Sequence, residues 1–439
     1  MMGQGRMFDV FSWTNRCMDS RFRGNDGGGT WSVVAILALM LCAAAPVRAA
    51  GPAGASDPSI VVGFIATRSG GGAVAGLDGA DGFTLALRQL GGRFSNQEVR
   101  VVAVDDKGSP DIARKQVARL IQSERLDMIV TAVSMPSLAA MQPVLAQSRL
   151  FVLNLEMPPP AVAGAECGAN MFTLAPPLDA AHVLLGQHLN TDGIRKLVVI
   201  APEVGMADLA VTALKSSFPF DVTVLHAKRG AATFDRELRR IGEIRPDAVY
   251  SLLVGGMGGA FIRAYDAAGG KEMAPLYVSS DAVARPLLPA MGDAALDVRA
   301  VANWVPDLDS PGNKRLVGDF DGEFGRPASE RAARGFDAAL LLDAAIKANN
   351  GKTHDAEAMR AAFRRAEFSS VRGVFHFNHN HQPIMAYHLI KVGRDAKGRL
   401  THETMATLSR EWRDPHTASC GLHWPEEYVP PAPKPTKKN

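Results

Sequence analysis

Cysteine is scarce in this chain of 439 residues: four are present, at positions 17, 42, 167 and 420. They are too few and too scattered for a disulfide-dense scaffold or a clustered zinc site. Long apolar runs are also missing. The run from Val33 to Ala45 (VVAILALMLCAAA) has 13 residues, whereas a membrane-spanning helix needs ~20. Charge of one sign is absent too. Lys and Arg number 48 against 45 Asp and Glu, a net of +3, which excludes an electrostatic footprint for nucleic acid or an acidic membrane. Nor is there a G-x-S-x-G elbow or an H-E-x-x-H helix. No enzymatic activity and no cofactor are expected.

What is present begins with an export signal. The 13-residue run is followed by Val47-Arg48-Ala49, small residues at the offset used by signal peptidase, and is preceded by Arg16, Arg21 and Arg23. Residues 1–49 therefore read as a secretory signal peptide cleaved after Ala49, with Met7 or Met18 as alternative starts. Leu41 stands where a lipoprotein site wants a small residue, so Cys42 is a poor acceptor. Removing the leader leaves 43 basic and 42 acidic residues. The mature protein is expected in the periplasm, as a monomer. Only Cys167 and Cys420 remain there, and an oxidising compartment favours their pairing over two separate thiols.

From Ile60 onward strand and helix alternate. Ile60 to Ile65, Val99 to Val104, Met128 to Val130 and Leu150 to Leu153 are short apolar strands, separated by helices over 81–90, 110–123 and 137–146. The pattern repeats with strands at 197–200, 222–225, 248–254 and 276–278. Strands that are apolar throughout belong to parallel sheets covered on both faces. Two successive β-α-β-α series predict an α/β fold of two doubly wound lobes. The last third differs, with helices over 335–349 and 355–366 and a hairpin whose polar turn is Asn378-His379-Asn380-His381. The tail from Pro425, rich in Pro and Lys, reads as disordered.

Ligands of open parallel sheets bind beyond the carboxyl ends of the strands, where helix N-termini offer free N–H groups. In the first lobe those places are Ser134 and Ser137 after the 128–130 strand, and Asn154-Leu155-Glu156 after the next. A simple helix cap is the competing reading for either serine. In the second lobe Gly255 and Gly256 open a glycine-rich helix start that permits close backbone approach. Asp281 follows the 276–278 strand, where it either pairs an ammonium or caps a helix. Trp304 is a candidate apolar wall, with ordinary hinge packing as the alternative.

These residues resemble the periplasmic substrate-binding proteins of branched-chain amino-acid ABC transporters, the Leu/Ile/Val-binding family. The similarity runs over about residues 58–420. It is carried by Asp105-Asp106, the Cys167 turn into Met171-Phe172, Gly255-Gly256-Met257-Gly258, Trp304 to Asp309, Asn313-Lys314-Arg315, and Ser370-Val371-Arg372-Gly373 leading into Phe377-Asn378. The resemblance implies a type I periplasmic-binding-protein-like fold, with Rossmann-like lobes of parallel sheet joined by a three-crossover hinge. Residues 58–176 and 304–382 would form one lobe, 177–303 and 383–412 the other, and 413–439 a tail. It further implies capture of a small carboxylate-bearing ligand, an amino acid or an aromatic or other organic acid. Closure of the lobes would then present that ligand to an inner-membrane ABC permease. Ser134 and groups after the fourth strand would hold the carboxylate, with Asp281 near the ammonium. The sequence departs from the family at Glu156-Met157-Pro158-Pro159-Pro160, whose prolines offer no N–H, and around Val204-Gly205-Met206. A sensor of the same fold is the alternative function.

Three rival readings are weaker. Gly70-x-Gly72-x-x-Ala75 mimics a dinucleotide fingerprint, but Asp105 lies 35 residues beyond Gly70 where ~20 is wanted. His376, His379 and His381 cluster in a polar turn with no carboxylate or thiolate beside them, so no metal is expected. Hydrolase motifs are missing altogether.

Overall fold

A computed structural model describes residues 59–424 apart from Gly71, Val204 and Gly205. The expected signal peptide and the tail from Pro425 lie outside the described residues.

The first lobe opens with β1 (Ile60–Ala66), α1 (Ala73–Gln89), β2 (Arg93–Phe94), β3 (Gln97–Asp105), α2 (Pro110–Ser123), β4 (Met128–Ala132), α3 (Met135–Ser148), β5 (Phe151–Asn154), α4 (Pro160–Ala163) and β6 (Met171–Thr173). Every residue of β1, β4, β5 and β6 is buried, as continuous apolar strands in a covered parallel sheet must be. The sheet order is β2-β3-β1-β4-β5-β6, parallel except for the β2–β3 pair.

The chain then builds the second lobe from α5 (Ala180–Thr191), β7 (Lys196–Pro202), α6 (Met206–Lys215), β8 (Asp221–Ala227), α7 (Asp235–Ile244), β9 (Ala248–Ser251), α8 (Gly255–Ala267), α9 (Gly270–Met273), β10 (Leu276–Ser279), α10 (Leu288–Met291) and β11 (Arg299–Ala302). It returns to the first lobe for α11 (Pro311–Phe324), α12 (Glu330–Ala348) and α13 (Ala356–Arg365). The second sheet is completed by β12 (Phe375–Phe377), β13 (Pro383–Arg394) and β14 (Leu400–Trp412). Its order is β12-β13-β11-β10-β9-β7-β8, with β14 also on β13. Strands β7 to β11 run parallel, and the late strands pair antiparallel.

Both lobes therefore carry the same parallel core, β3-β1-β4-β5-β6 and β8-β7-β9-β10-β11, each in the doubly wound 2-1-3-4-5 order. Each sheet is covered on both faces. In the first, α1, α11, α12 and α13 pack on one face and α2 and α3 on the other. In the second, α7, α8 and α10 pack on one face and α5 and α6 on the other.

Helix α1 starts at Ala73, eight residues before the sequence suggests. Its first half contains Gly76, Gly79 and Gly82, which weaken a helical signal. They are there because α12 crosses α1 closely. A side chain at Gly82 would collide with the Ala332 carbonyl, and one at Gly335 with the Gly79 carbonyl.

Three passes join the lobes, after β6, after β11 and before β13. A fourth returns after β14, because the turn Pro415–Ser419 and the disulfide Cys167–Cys420 bring the chain back to the first lobe. Trp424 packs on that lobe's core, so the part of 413–439 that is described is fixed against the body. The passes are held together by a fully buried ion pair. Arg372 Nε donates to Asp337 of α12 at 2.7 Å, and its Nη1 donates to the Leu174 carbonyl in the first pass at 2.7 Å.

Candidate functional site

The carboxyl ends of the two parallel cores meet through one side chain. Arg331, in the first turn of α12, donates from Nε to Glu156 after β5 at 2.9 Å. Its Nη1 and Nη2 donate to the two oxygens of Asp281 after β10 at 2.7 and 3.0 Å. A residue of the first lobe thus grips the β10 loop of the second. Burial opposes charge on Arg331, but Asp281 and then Glu156 outweigh it and hold the guanidinium well above its ordinary pKa. Burial likewise pushes Asp281 up, and Arg331 more than reverses it, so the carboxylate titrates below its usual range. One turn later Arg334 donates to the Leu155 carbonyl and to Glu330, both at 3.2 Å, and lies 3.8 Å from Glu156.

Strand order places everything else relative to this bridge. On one side β6 and β11 lead into the passes between lobes. On the other, β4 and β9 stand next to β5 and β10, followed by β1 and β7. The gaps between β1 and β4 and between β7 and β9 are the topological switch points, where connections leave toward opposite faces and open a crevice.

Side chains at the switch points are exposed. Ser134 caps α3, its Oγ accepting from the Ser137 N–H at 3.4 Å and lying 3.2 Å from the Ser137 Oγ. Ser134 is exposed, whereas Ser137 is fully buried. In the second lobe α8 starts at Gly255 with Val254 as its cap and no side-chain hydrogen bond to the first turn. Val254, Gly255 and Gly256 are exposed, and Gly255 takes a φ of +57° that glycine adopts freely. The first N–H groups of this 13-residue helix therefore have no side-chain cap, and the positive end of its dipole lies behind them. Gly258, by contrast, packs so closely on the Leu253 carbonyl that a side chain would clash.

Arg68 was not singled out by sequence. It follows β1 at the first lobe's switch point, its backbone N–H donates to Asp105 at 2.9 Å, and its exposed side chain has no partner among the described residues. Ser69 beside it donates to Asp105 at 2.6 Å. The signal was available: Asp105, read as a strand end, is the anchor that orients the β1 loop.

The seven candidate residues divide into three groups. Ser134, Gly255 and Gly256 are exposed beyond the carboxyl ends of β4 and β9, with Ser137 buried beside Ser134. Glu156 and Asp281 come together on Arg331, and Asp281 also borders a small cavity. Trp304 is 1% exposed, donates from Nε1 to Asn313 at 2.7 Å and belongs to the first lobe's core, so it walls no crevice. The altered residues Val204 and Gly205 lie outside the described residues.

Behind the bridge, on the hinge side, is a small cavity of about 60 Å³. Asn303, Arg334 and Tyr387 line it, each with a buried polar atom that no protein group satisfies. His182 and Tyr250 also line it, hydrogen-bonded to one another at 2.7 Å. A far larger space, about 1010 Å³, opens at the amino ends of the first lobe's strands beside Ser59, Gln97, Asp127 and Thr353. That end faces helix C-termini, whose dipoles disfavour an anion, although Arg125, Lys352 and His354 are among its lining residues. The switch points instead have the positive end of the α8 dipole and the exposed Arg68.

The three histidines of the turn do not act together. His381 is buried against Phe172, ring centroids 3.9 Å apart, and burial lowers its pKa to about 3. His379 instead lies 3.0 Å from the Thr417 carbonyl.

Comparison with known proteins agrees with this architecture. The family described as periplasmic binding protein matches residues 59–398. Leu/Ile/Val-binding protein homolog 6 of Brucella abortus (strain 2308) is 24% identical over 328 residues, 72% of this chain and 82% of that protein. Among solved structures, an ABC-transporter solute binding protein from R. palustris in complex with benzoate superposes with a TM-score of 0.75. It is 25% identical, and the match covers 84% of this chain and 100% of that one. A leucine binding protein from Thermotoga maritima gives a TM-score of 0.68 at 19% identity, covering 79% and 98%. With two parallel-rich lobes in matching strand order and a family match over most of its length, the chain belongs to the periplasmic binding proteins and has their type I fold.

Proposed function

We propose that this protein is the solute-capturing component of an ABC importer, acting as a monomer in the periplasm. It binds a small carboxylate between its lobes, does no chemistry on it, and delivers it to a membrane permease. The observation that carries this reading is the Arg331 bridge, which sets the carboxyl ends of both sheets face to face. The donors an anion needs are present at the carboxyl ends of the same sheets, which supports this reading: the exposed Arg68 guanidinium, Ser134, and the N-terminus of α8. Benzoate in the R. palustris relative supports a carboxylate as the common handle, as does the Leu/Ile/Val-binding name of the Brucella relatives.

Binding works by closure. A carboxylate seated on Arg68 and Ser134 meets the α8 N–H groups only when the lobes approach, so those extra contacts select the closed form. A thermal-shift screen of amino, aromatic and aliphatic acids tests this. Ligand at ~100 times its Kd should add ~2.7 kcal/mol, and Arg68→Ala should weaken affinity ~10- to 100-fold by removing a charge-assisted hydrogen bond. No shift from any acid in a broad library would sink the reading.

A further inference from the structure

We infer that Arg331 is a built-in counter-ion that restricts the ligand to acids carrying no adjacent ammonium. This rests on the solute-capture reading and narrows it. Two carboxylates, Glu156 and Asp281, stand beyond the carboxyl ends of β5 and β10, one on each lobe. Left alone they would form a strong ammonium site, since a protonated amine has three donors to place. Arg331 occupies that site instead. Both oxygens of Asp281 and Oε1 of Glu156 accept from it, while Oε2 of Glu156 faces Arg334 at 3.8 Å. Glu330, the third carboxylate nearby, accepts from Arg334 through Oε2, while its Oε1 is buried beside the small cavity without a hydrogen-bond partner among the described residues.

The guanidinium is held in place rather than resting there. Ser329 caps α12, accepting from the Ala332 N–H, and donates its hydroxyl to Asp78 of α1. The close α1–α12 crossing at Gly82 and Gly335 fixes the helix that carries Arg331. Arg331 cannot shed its proton to make room, because guanidinium stays charged throughout the working range. An incoming ammonium would have to break a bidentate pair and then lie against the displaced cation. A bare carboxylate meets no such obstacle, since its donors Arg68, Ser134 and the α8 N-terminus lie one or two strands away along the crevice.

Pairs of isosteres that differ only in the amine test this by isothermal calorimetry: 4-methylpentanoate against leucine, and 3-phenylpropionate against phenylalanine, with benzoate alongside. The wild-type protein should bind the amine-free partner at least ~100-fold more tightly, the cost of leaving a charged group poorly paired. Arg331→Met, which frees both carboxylates, should shrink that ratio by ~10-fold or more, and Arg331→Lys should restore much of it. Wild-type ratios within threefold, or ratios favouring the amino acids, would overturn the inference while leaving solute capture intact. They would implicate Glu203, exposed after β7, as the ammonium acceptor. Failure of every acid to bind would overturn solute capture itself. The wild-type ratio decides the matter even if Arg331→Met does not fold.

Discussion

At the scale of single residues, the charged side chains of the interior are those with the least freedom to change. Arg372 and Asp337 have no exposed side-chain surface, and they join α12 to the first pass between lobes. Removing one partner leaves the other charge buried alone. Asp337→Ala should therefore cost ~3–5 kcal/mol of unfolding free energy, measured by urea denaturation. Arg372→Met combined with Asp337→Leu should cost less than that single change. A smaller loss for Asp337→Ala than for the double variant would mean the pair is hydrated. The same logic separates the candidate residues. Ser134 was legible because a hydroxyl after a buried strand and before a proline has one common use, at a helix start. Arg331 was not legible. It sits in the first turn of a helix whose polar start gives no hint that two carboxylates, 175 and 50 residues away, converge on it.

At the scale of elements, the parallel strands were readable because burial on both faces makes them apolar throughout. Others escaped for particular reasons. Strand β14 (LTHETMATLSREW) is an edge strand with much of one side in solvent, so its composition is mostly polar. Helix α11 has only Asn313, Leu316 and Phe320 buried, a thin apolar stripe. The first half of α1 was hidden by glycines that exist to let α12 pass. That crossing yields a further prediction. Gly335→Ala raises helix propensity by up to ~1 kcal/mol, yet it should destabilise the protein by ~1–3 kcal/mol because the new methyl is forced into the Gly79 backbone. Equilibrium unfolding of the variant checks the sign, and net stabilisation would show that the helices can separate freely.

At the scale of the whole molecule, buried imidazoles tie stability to pH. Burial lowers the pKa of His182 and His402 to about 4, and that of His381 to about 3, from 6.5. Because the folded values lie below the unfolded one, the contribution is complete above pH 6.5 and fades as pH falls toward the folded values. Each ring accounts for up to ~1.4 kcal/mol per pH unit within that window. Denaturant midpoints for the ligand-free protein should drop clearly between pH 7 and pH 5, and unchanged midpoints would mean the rings reach water. The two-lobed plan was visible in the repeat of strand and helix, and the return of the tail in the fourth pass was legible only through the expected Cys167–Cys420 bond, since the polar residues around Cys420 give no other sign of where they dock. That pass bears on how motion can be watched. With Ser59 leading into β1 and Cys420 bonded to Cys167, positions 59 and 420 ride on the same lobe. Dyes attached there would keep a constant separation through every capture event, so a distance sensor for this protein needs one label moved across to α7 or β8.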